Sequence, residues 1–239
     1  MQHVFHYTST DTLEQIVQSL QIQFTEIRQL NDADEWIAAI DFYCKDSRTI
    51  ASERLAGFIE IFELLVKMDT LPWHVACFSR RPDIDSQWRN YADNEHGVCV
   101  GFDTNHFIPQ VPHSSINYGK ESWFRALSLL QNRIEQTQCD TIAIGDITHF
   151  GATCKSEKWS TEEEIRYFGC VMPPELADND CQRKLLEKMQ GTRAGRRVAL
   201  YPFEDRAITS VIVGDPRDIP RVHQIIESAG LPSVKVYRR

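Results

Sequence analysis

None of the seven cysteines, Cys44, Cys77, Cys99, Cys139, Cys154, Cys170 and Cys181, stands in a Cys-x-x-Cys pair. An odd count without that spacing argues against a zinc site and against the disulfide framework of a small secreted domain. Free, reduced thiols in a cytoplasm are therefore the expectation, with Cys77 and Cys99 as small core residues inside apolar runs. No apolar run reaches the ~18 residues that cross a bilayer, so no membrane partner is expected. The opening Met-Gln-His-Val-Phe-His-Tyr has neither a basic flank nor a long apolar stretch and does not read as a signal peptide. Positive charge is also scarce. Twenty-six Lys and Arg face 34 Asp and Glu, a formal net charge of −8, which disfavours a general electrostatic grip on nucleic acid. The local basic clusters Arg193, Arg196, Arg197 and Arg238, Arg239 read first as solvated surface. A Walker loop, a GxSxG elbow and an HExxH helix are all missing, and Ser79 has no His and Asp in triad spacing.

What is present is enough for a core. The chain has 239 residues, 42% hydrophobic and 25% charged, a size and composition that bury a core without metals or disulfides. No repeat, low-complexity tract or linker divides it, so residues 1–239 read as one domain. Residues 3–7 alternate as a short strand, and a helix begins at Asp11, with Asp11 and Glu14 in capping-box spacing. Apolar residues repeat at helical spacing over 51–67. Strands are expected at 73–79, 97–103, 162–171, 197–203, 207–214 and 234–238. Helices are expected near 121–136, 178–190 and 219–229, and helical turns at 85–94. The stretch up to about 155 is poorly patterned. This mixed order gives an α+β class, with a split, mostly antiparallel sheet flanked by helices.

Four polar segments could carry chemistry. His6-Tyr7-Thr8-Ser9 closes the first strand just before a helix N-terminus, where an anionic ligand is favoured; it also suits a hydrogen-bonded core pair. Gln29-Leu30-Asn31-Asp32-Ala33-Asp34-Glu35 lacks the glycine turn of a calcium loop and reads as turn and capping chemistry. Cys77-Phe78-Ser79-Arg80-Arg81 ends a strand, Asp85, Gln87, Trp88 and Tyr91 follow on a helical turn, and His96-Gly97 comes after. The arginines suit phosphate oxygens and the aromatics suit stacking on a base or nicotinamide ring, or else they plug the sheet, Trp88 above all. In Lys155-Ser156-Glu157-Lys158-Trp159-Ser160-Thr161-Glu162-Glu163-Glu164-Ile165-Arg166, period-two alternation puts Glu162, Glu164 and Arg166 on one strand face and Glu163 on the other. A salt-bridged surface strand would look the same.

Taken in order, several of these pieces resemble the domain-of-unknown-function 2971 family. They are His6-Tyr7, Leu30-Asn31-Asp32-x-x-Glu35, Cys77-Phe78-Ser79, Trp88-x-x-Tyr91-Ala92-Asp93 and His96 to Phe102. Lys155-Ser156, Trp159-x-x-Glu162-x-Glu164-x-Arg166 and the strand Ile208 to Gly214 complete the set. The family brings no settled activity.

A second resemblance is to the ADP-ribosyltransferase superfamily. There a strand ending in His or Arg, a middle strand with a Tyr or Ser motif and a later glutamate follow one another, as His6, Ser79 or Tyr91, and Glu162 or Glu164 do here. That resemblance implies NAD as substrate, with Glu164, Glu162, His6 and Tyr91 as catalytic residues. Tyr7, Ser79, Arg80, Trp88 and Arg166 would hold the nucleotide. It implies ADP-ribose transfer to a protein or nucleic-acid acceptor, or plain NAD cleavage, and a toxin-like or phage-defence role would suit such an activity. The sequence departs from the superfamily in lacking a clear Ser-Thr-Ser and in mixing features of its two branches. A non-catalytic nucleotide sensor or interaction module is the alternative.

Overall fold

The computed structural model describes residues 3–30, 53–67, 73–107, 111–138, 140–170, 179–193 and 195–239. The segment Asn31 to Glu35, and Cys44 and Cys139, lie outside the described residues.

Alternating apolar and polar residues build the first unit. Strand β1 (His3–Thr8) leads into helix α1 (Thr10–Ser19) and strand β2 (Gln21–Glu26), whose Ile22 and Phe24 face inward. The cap of α1 is Ser9, whose Oγ accepts from the Thr12 amide at 3.1 Å. Asp11 lies inside the first turn, two positions past the cap. Helix α2 (Glu53–Lys67), strand β3 (Trp73–Ser79), helix α3 (Asp85–Tyr91) and strand β4 (Val98–Asp103) follow. Short strands β5 (His113–Ser115) and β6 (Asn117–Tyr118) precede helices α4 (Gly119–Gln136) and α5 (Asp140–Ala152). Next come β7 (Cys154–Lys155), a 3-10 turn (Glu157–Glu162), β8 (Glu164–Cys170), α6 (Asp180–Met189), β9 (Gln190–Arg193) and β10 (Arg196–Pro202). Strand β11 (Ile208–Val213), helix α7 (Ile219–Ser228) and strand β12 (Lys235–Arg238) close the fold.

The result is α+β: an open, mostly antiparallel ten-stranded sheet with helices against it, in which only β11 and β12 run parallel. β6 and β7 form a separate two-stranded parallel pair. Alternation along β3 and β8 sends neighbouring residues into two cores. Ala76, Phe78, Ile165 and Tyr167 join one cluster with α1 and α7, while Val75 and Phe168 join another with α2, α4 and α5. Helix α5 escapes sequence patterning because its apolar residues are not confined to one stripe. It fills the space between α2 and α4.

The sheet forks at β3. One edge of this strand pairs with β8 along its whole length, from Trp73↔Cys170 to Ser79↔Glu164. The other edge is shared. β2 meets it at Thr25↔Val75 and Glu26↔His74, and β1 meets it at Phe5↔Ser79. Between those contacts β1 and β2 diverge and leave the middle of β3 without a ladder partner on that side. Residues of both sheet faces are reachable through this gap.

Candidate functional site

A cleft of about 500 Å³ occupies the fork, within the size range of small-molecule sites. Its walls come from β1, α1, β2 and β3, and its deep end is formed by Lys155, Glu162, Glu164 and Arg166. His6 marks the divergence of the strands. Its Nδ1 lies 3.2 Å from the Cys77 carbonyl, a backbone acceptor stranded by the fork, and so donates to it as the Nδ1-protonated tautomer. Burial lowers the His6 pKa despite that bond, so at neutral pH the ring is uncharged with Nε2 as an acceptor.

The deep end is a buried charge network. Lys155 Nζ lies 2.6 Å from Glu162 Oε2 and 3.1 Å from Glu164 Oε2. Arg166 Nε donates to Glu164 Oε1 at 2.7 Å, and its Nη1 donates to the Ala152 carbonyl at 2.8 Å. All four side chains are almost wholly buried. The two carboxylates respond in opposite directions. Burial would push Glu164 up, but the adjacent Arg166 and Lys155 outweigh it and hold the pKa at about 2. Glu162 is raised, because burial outweighs the attraction of Lys155 and Glu164 repels a second negative charge. Its Oε1 is buried with no hydrogen-bond partner among the described residues.

The chain reaches this arrangement through a local irregularity. Strand β8 starts only at Glu164. Glu162 ends the 3-10 turn, and Glu163 between them sits in the left-handed region, with φ 45° and ψ 47°. Glu162 therefore does not share a strand face with Glu164 as the alternation suggests, yet it meets Glu164 through Lys155. Glu163 points outward to Arg81, at 3.1 Å. Ser79 Oγ donates to the Glu162 carbonyl at 2.8 Å and accepts from the Arg81 amide at 3.2 Å, so it ties the end of β3 to this turn.

Of the nine residues given a catalytic or nucleotide-holding role, six line the cleft: His6, Tyr7, Tyr91, Glu162, Glu164 and Arg166. Tyr7 does so with its hydroxyl committed elsewhere, donating to the Arg81 carbonyl at 2.7 Å. Tyr91 stands at the end of α3 with its ring partly exposed, and burial near Glu162 pushes its hydroxyl up to about 12.

Three residues are not at the cleft. Ser79 is buried beneath it, acting through the turn as described. Arg80 reaches the other way, to Ser115 Oγ at 2.5 Å. Trp88 is fully buried, donates from Nε1 to the Pro82 carbonyl at 2.9 Å and meets the Tyr7 ring edge-on at 5.4 Å. Stacking of Trp88 on a ligand is thereby corrected to core packing. Helical geometry explains the difference: positions 87 and 91 share the outward face, and it is Gln87 that joins Tyr91 in the cleft. Trp88→Ala is expected to cost about 3–5 kcal/mol of stability through the cavity it leaves, measurable by urea denaturation. An unchanged midpoint would return Trp88 to the surface.

Gly97 fixes the approach of α3 to β1. A Cβ there would lie 2.3 Å from the Thr8 carbonyl oxygen and 2.9 Å from the Ala92 backbone.

Lys155, Trp159, Gln87 and Cys77 also line the cleft; they stand in the polar segments of the sequence but were given no catalytic or nucleotide-holding role there. The signal for Lys155 was its place in the Lys-Ser-x-x-Trp segment. Nothing in the chain pattern shows that β7 brings it under two glutamates. Cys77, read as a core residue, is only partly buried and is unpaired, as are the other four described cysteines. It hydrogen-bonds Glu164, and burial pushes its thiol far up, so it is no thiolate at neutral pH.

Among the described residues no cluster of His, Cys, Asp and Glu could hold a metal ion, and no helix is long and apolar enough to cross a membrane. No curated protein and no solved structure matches the chain. Residues 87–167, from α3 through Lys155 to the start of β8, match the model of the family described as "Protein of unknown function (DUF2971)", less than half of the chain but the part that carries Tyr91, Glu162, Glu164 and Arg166.

Proposed function

We propose that the cleft binds NAD and breaks its nicotinamide–ribose bond, passing ADP-ribose to an acceptor or to water. The observation that carries this reading is the convergence of His6, Tyr91, Glu162, Glu164 and Arg166 on one cleft at the sheet fork. Cleavage of that bond builds positive charge on the ribose. Glu164, held as an anion by Arg166 and Lys155, is suited to oppose that charge without reorganising. The neutral His6 offers Nε2 to a ribose hydroxyl, and the half-exposed Tyr91 ring offers a stacking face to the leaving nicotinamide. The rim residues Arg193 and Arg196 give an anionic nucleotide a favourable field at the mouth of the cleft, inside a chain of net negative charge.

Thermal unfolding with added ligand tests the binding step. Occupancy at a hundredfold excess over Kd stabilises the folded state by about 2.7 kcal/mol, so NAD and ADP-ribose should both raise the melting temperature by several degrees. Absence of any shift with millimolar NAD would remove the reading. One feature favours a second function, a non-catalytic nucleotide sensor: both oxygens of Glu164 are already engaged by cations. That alternative predicts the same shift with no nicotinamide released.

A further inference from the structure

The mouth of the cleft carries a second chemical feature. Residues 180–197 hold six cations, Arg183, Lys184, Lys188, Arg193, Arg196 and Arg197, against only Asp180 and Glu187, within a chain of net charge −8. They occupy α6 and the β9–β10 hairpin, which follow each other without a break. All six cations are exposed. Helix α6 buries none of its residues completely and rests on the core through Leu186 and Met189. The hairpin pairs Arg193 with Arg196 and Thr192 with Arg197, and it reaches the cleft directly, because Arg193 and Arg196 line it and Arg193 contacts Gln15 of α1. Part of the charge is internally matched: Arg197 lies 3.1 Å from Glu26 and Arg183 lies 3.6 Å from Asp180. Lys184 and Lys188 stand one helical turn apart on α6 and do not line the cleft.

We propose that α6 and the β9–β10 hairpin form a docking surface for a single-stranded nucleic acid, which enters the cleft as the acceptor of ADP-ribose. The assignment of the acceptor rests on the NAD reading; the binding surface stands on the charge distribution. Charge complementarity selects a polyanion. The make-up of the patch selects nucleic acid over an acidic protein. Its exposed tip is Gly191, Thr192, Arg193, Gly195, Arg196 and Arg197, where guanidinium, hydroxyl and backbone N–H donors stand together as phosphate contacts require; Leu185 is the large apolar side chain exposed on α6. The cleft beside it presents the partly exposed ring of Tyr91, a face on which a base can stack; the Trp159 ring already carries the ammonium groups of Lys155 and Lys158 at 5.3 and 4.9 Å. In the transfer step a nucleophilic base nitrogen or hydroxyl oxygen bonds to ribose C1′. The C1′–nitrogen bond to nicotinamide breaks with its electron pair leaving on nicotinamide, and the proton of the nucleophile is released to solvent.

Fluorescence anisotropy with labelled twenty-nucleotide single-stranded DNA and RNA, and with a polyglutamate peptide of equal charge, tests the surface. Four phosphate contacts predict roughly fiftyfold weaker oligonucleotide binding between 50 and 200 mM salt. Lys184→Glu with Lys188→Glu should weaken binding at least tenfold while leaving the melting temperature unchanged. Oligonucleotide binding that is absent at 50 mM salt, that ignores this double variant, or that polyglutamate equals would overturn the proposal. A parallel assay with NAD separates the two readings. Oligonucleotide bound without nicotinamide release removes the NAD reading and keeps the surface; nicotinamide release without oligonucleotide binding does the reverse.

Discussion

Glu164→Gln is expected to lower nicotinamide release from NAD by roughly a hundredfold to a thousandfold, the range seen when one group aimed at a developing charge is removed. The reason is differential: the carboxylate acts on a charge that exists only in the transition state, so NAD affinity should fall far less than turnover. The substitution also leaves Arg166 and Lys155 facing a neutral amide in a buried place, so a drop in melting temperature should accompany it. Glu164→Asp separates the two effects, since it keeps the charge and withdraws it by one methylene. It should retain more stability than the glutamine variant and still turn over poorly. Glu163→Gln serves as the control, because Glu163 points out of the cleft to an exposed Arg81; turnover and melting temperature should both stay at wild-type values. Loss of turnover in Glu163→Gln with full activity in Glu164→Gln would mean that the wrong carboxylate has been assigned.

The second large effect concerns stability. Arg166→Met should destabilise the fold by about 3–5 kcal/mol, the usual cost of removing one partner from a buried ion pair. For a chain of this size that lowers the melting temperature by about 6–20 °C. The pH dependence follows from the carboxylates. Folding lowers the Glu164 pKa from 4.5 to about 2. Its contribution is therefore complete above about pH 4.5 and is lost as the pH falls toward 2. Glu162 runs the other way. Its pKa is raised above 4.5 on folding, so its contribution is complete below that value and is lost as the pH rises through the folded pKa. The difference between wild type and Arg166→Met should accordingly narrow as the pH falls from about 4.5 toward 2, when Glu164 takes up its proton. A constant difference down to pH 2 would show that Arg166 does not act through Glu164.

The features that were legible in the sequence are those with a short period. The apolar run of Trp73 to Ser79 gives β3, the helical repeat of Leu55, Phe58 and Ile59 gives α2, and both ends of α7 are marked by local residues. Ile22 and Phe24 carry the signal for β2 just as plainly, with Gln21 and Gln23 alternating to the other face. The fork was not legible. It depends on β1, β2 and β8 all choosing β3 as a neighbour across long stretches of chain, and no local pattern encodes that choice. The position of Glu162 was misread for a related reason. A left-handed Glu163 breaks the alternation, and a non-glycine residue in that conformation is uncommon enough that a sequence gives no cue to it. Trp88 shows the limit of composition: an aromatic beside a cleft motif can equally be the wedge that holds the motif in place. Here it packs under Tyr7 and leaves Gln87 and Tyr91 to face the cleft.

Release of free nicotinamide from NAD by the purified wild-type protein, followed over time by chromatography, tests the central claim most directly. The account predicts time-dependent release that wild type sustains and Glu164→Gln loses, faster when an acceptor nucleic acid is supplied. Wild-type protein that leaves NAD intact at every concentration, with and without acceptor, would contradict it.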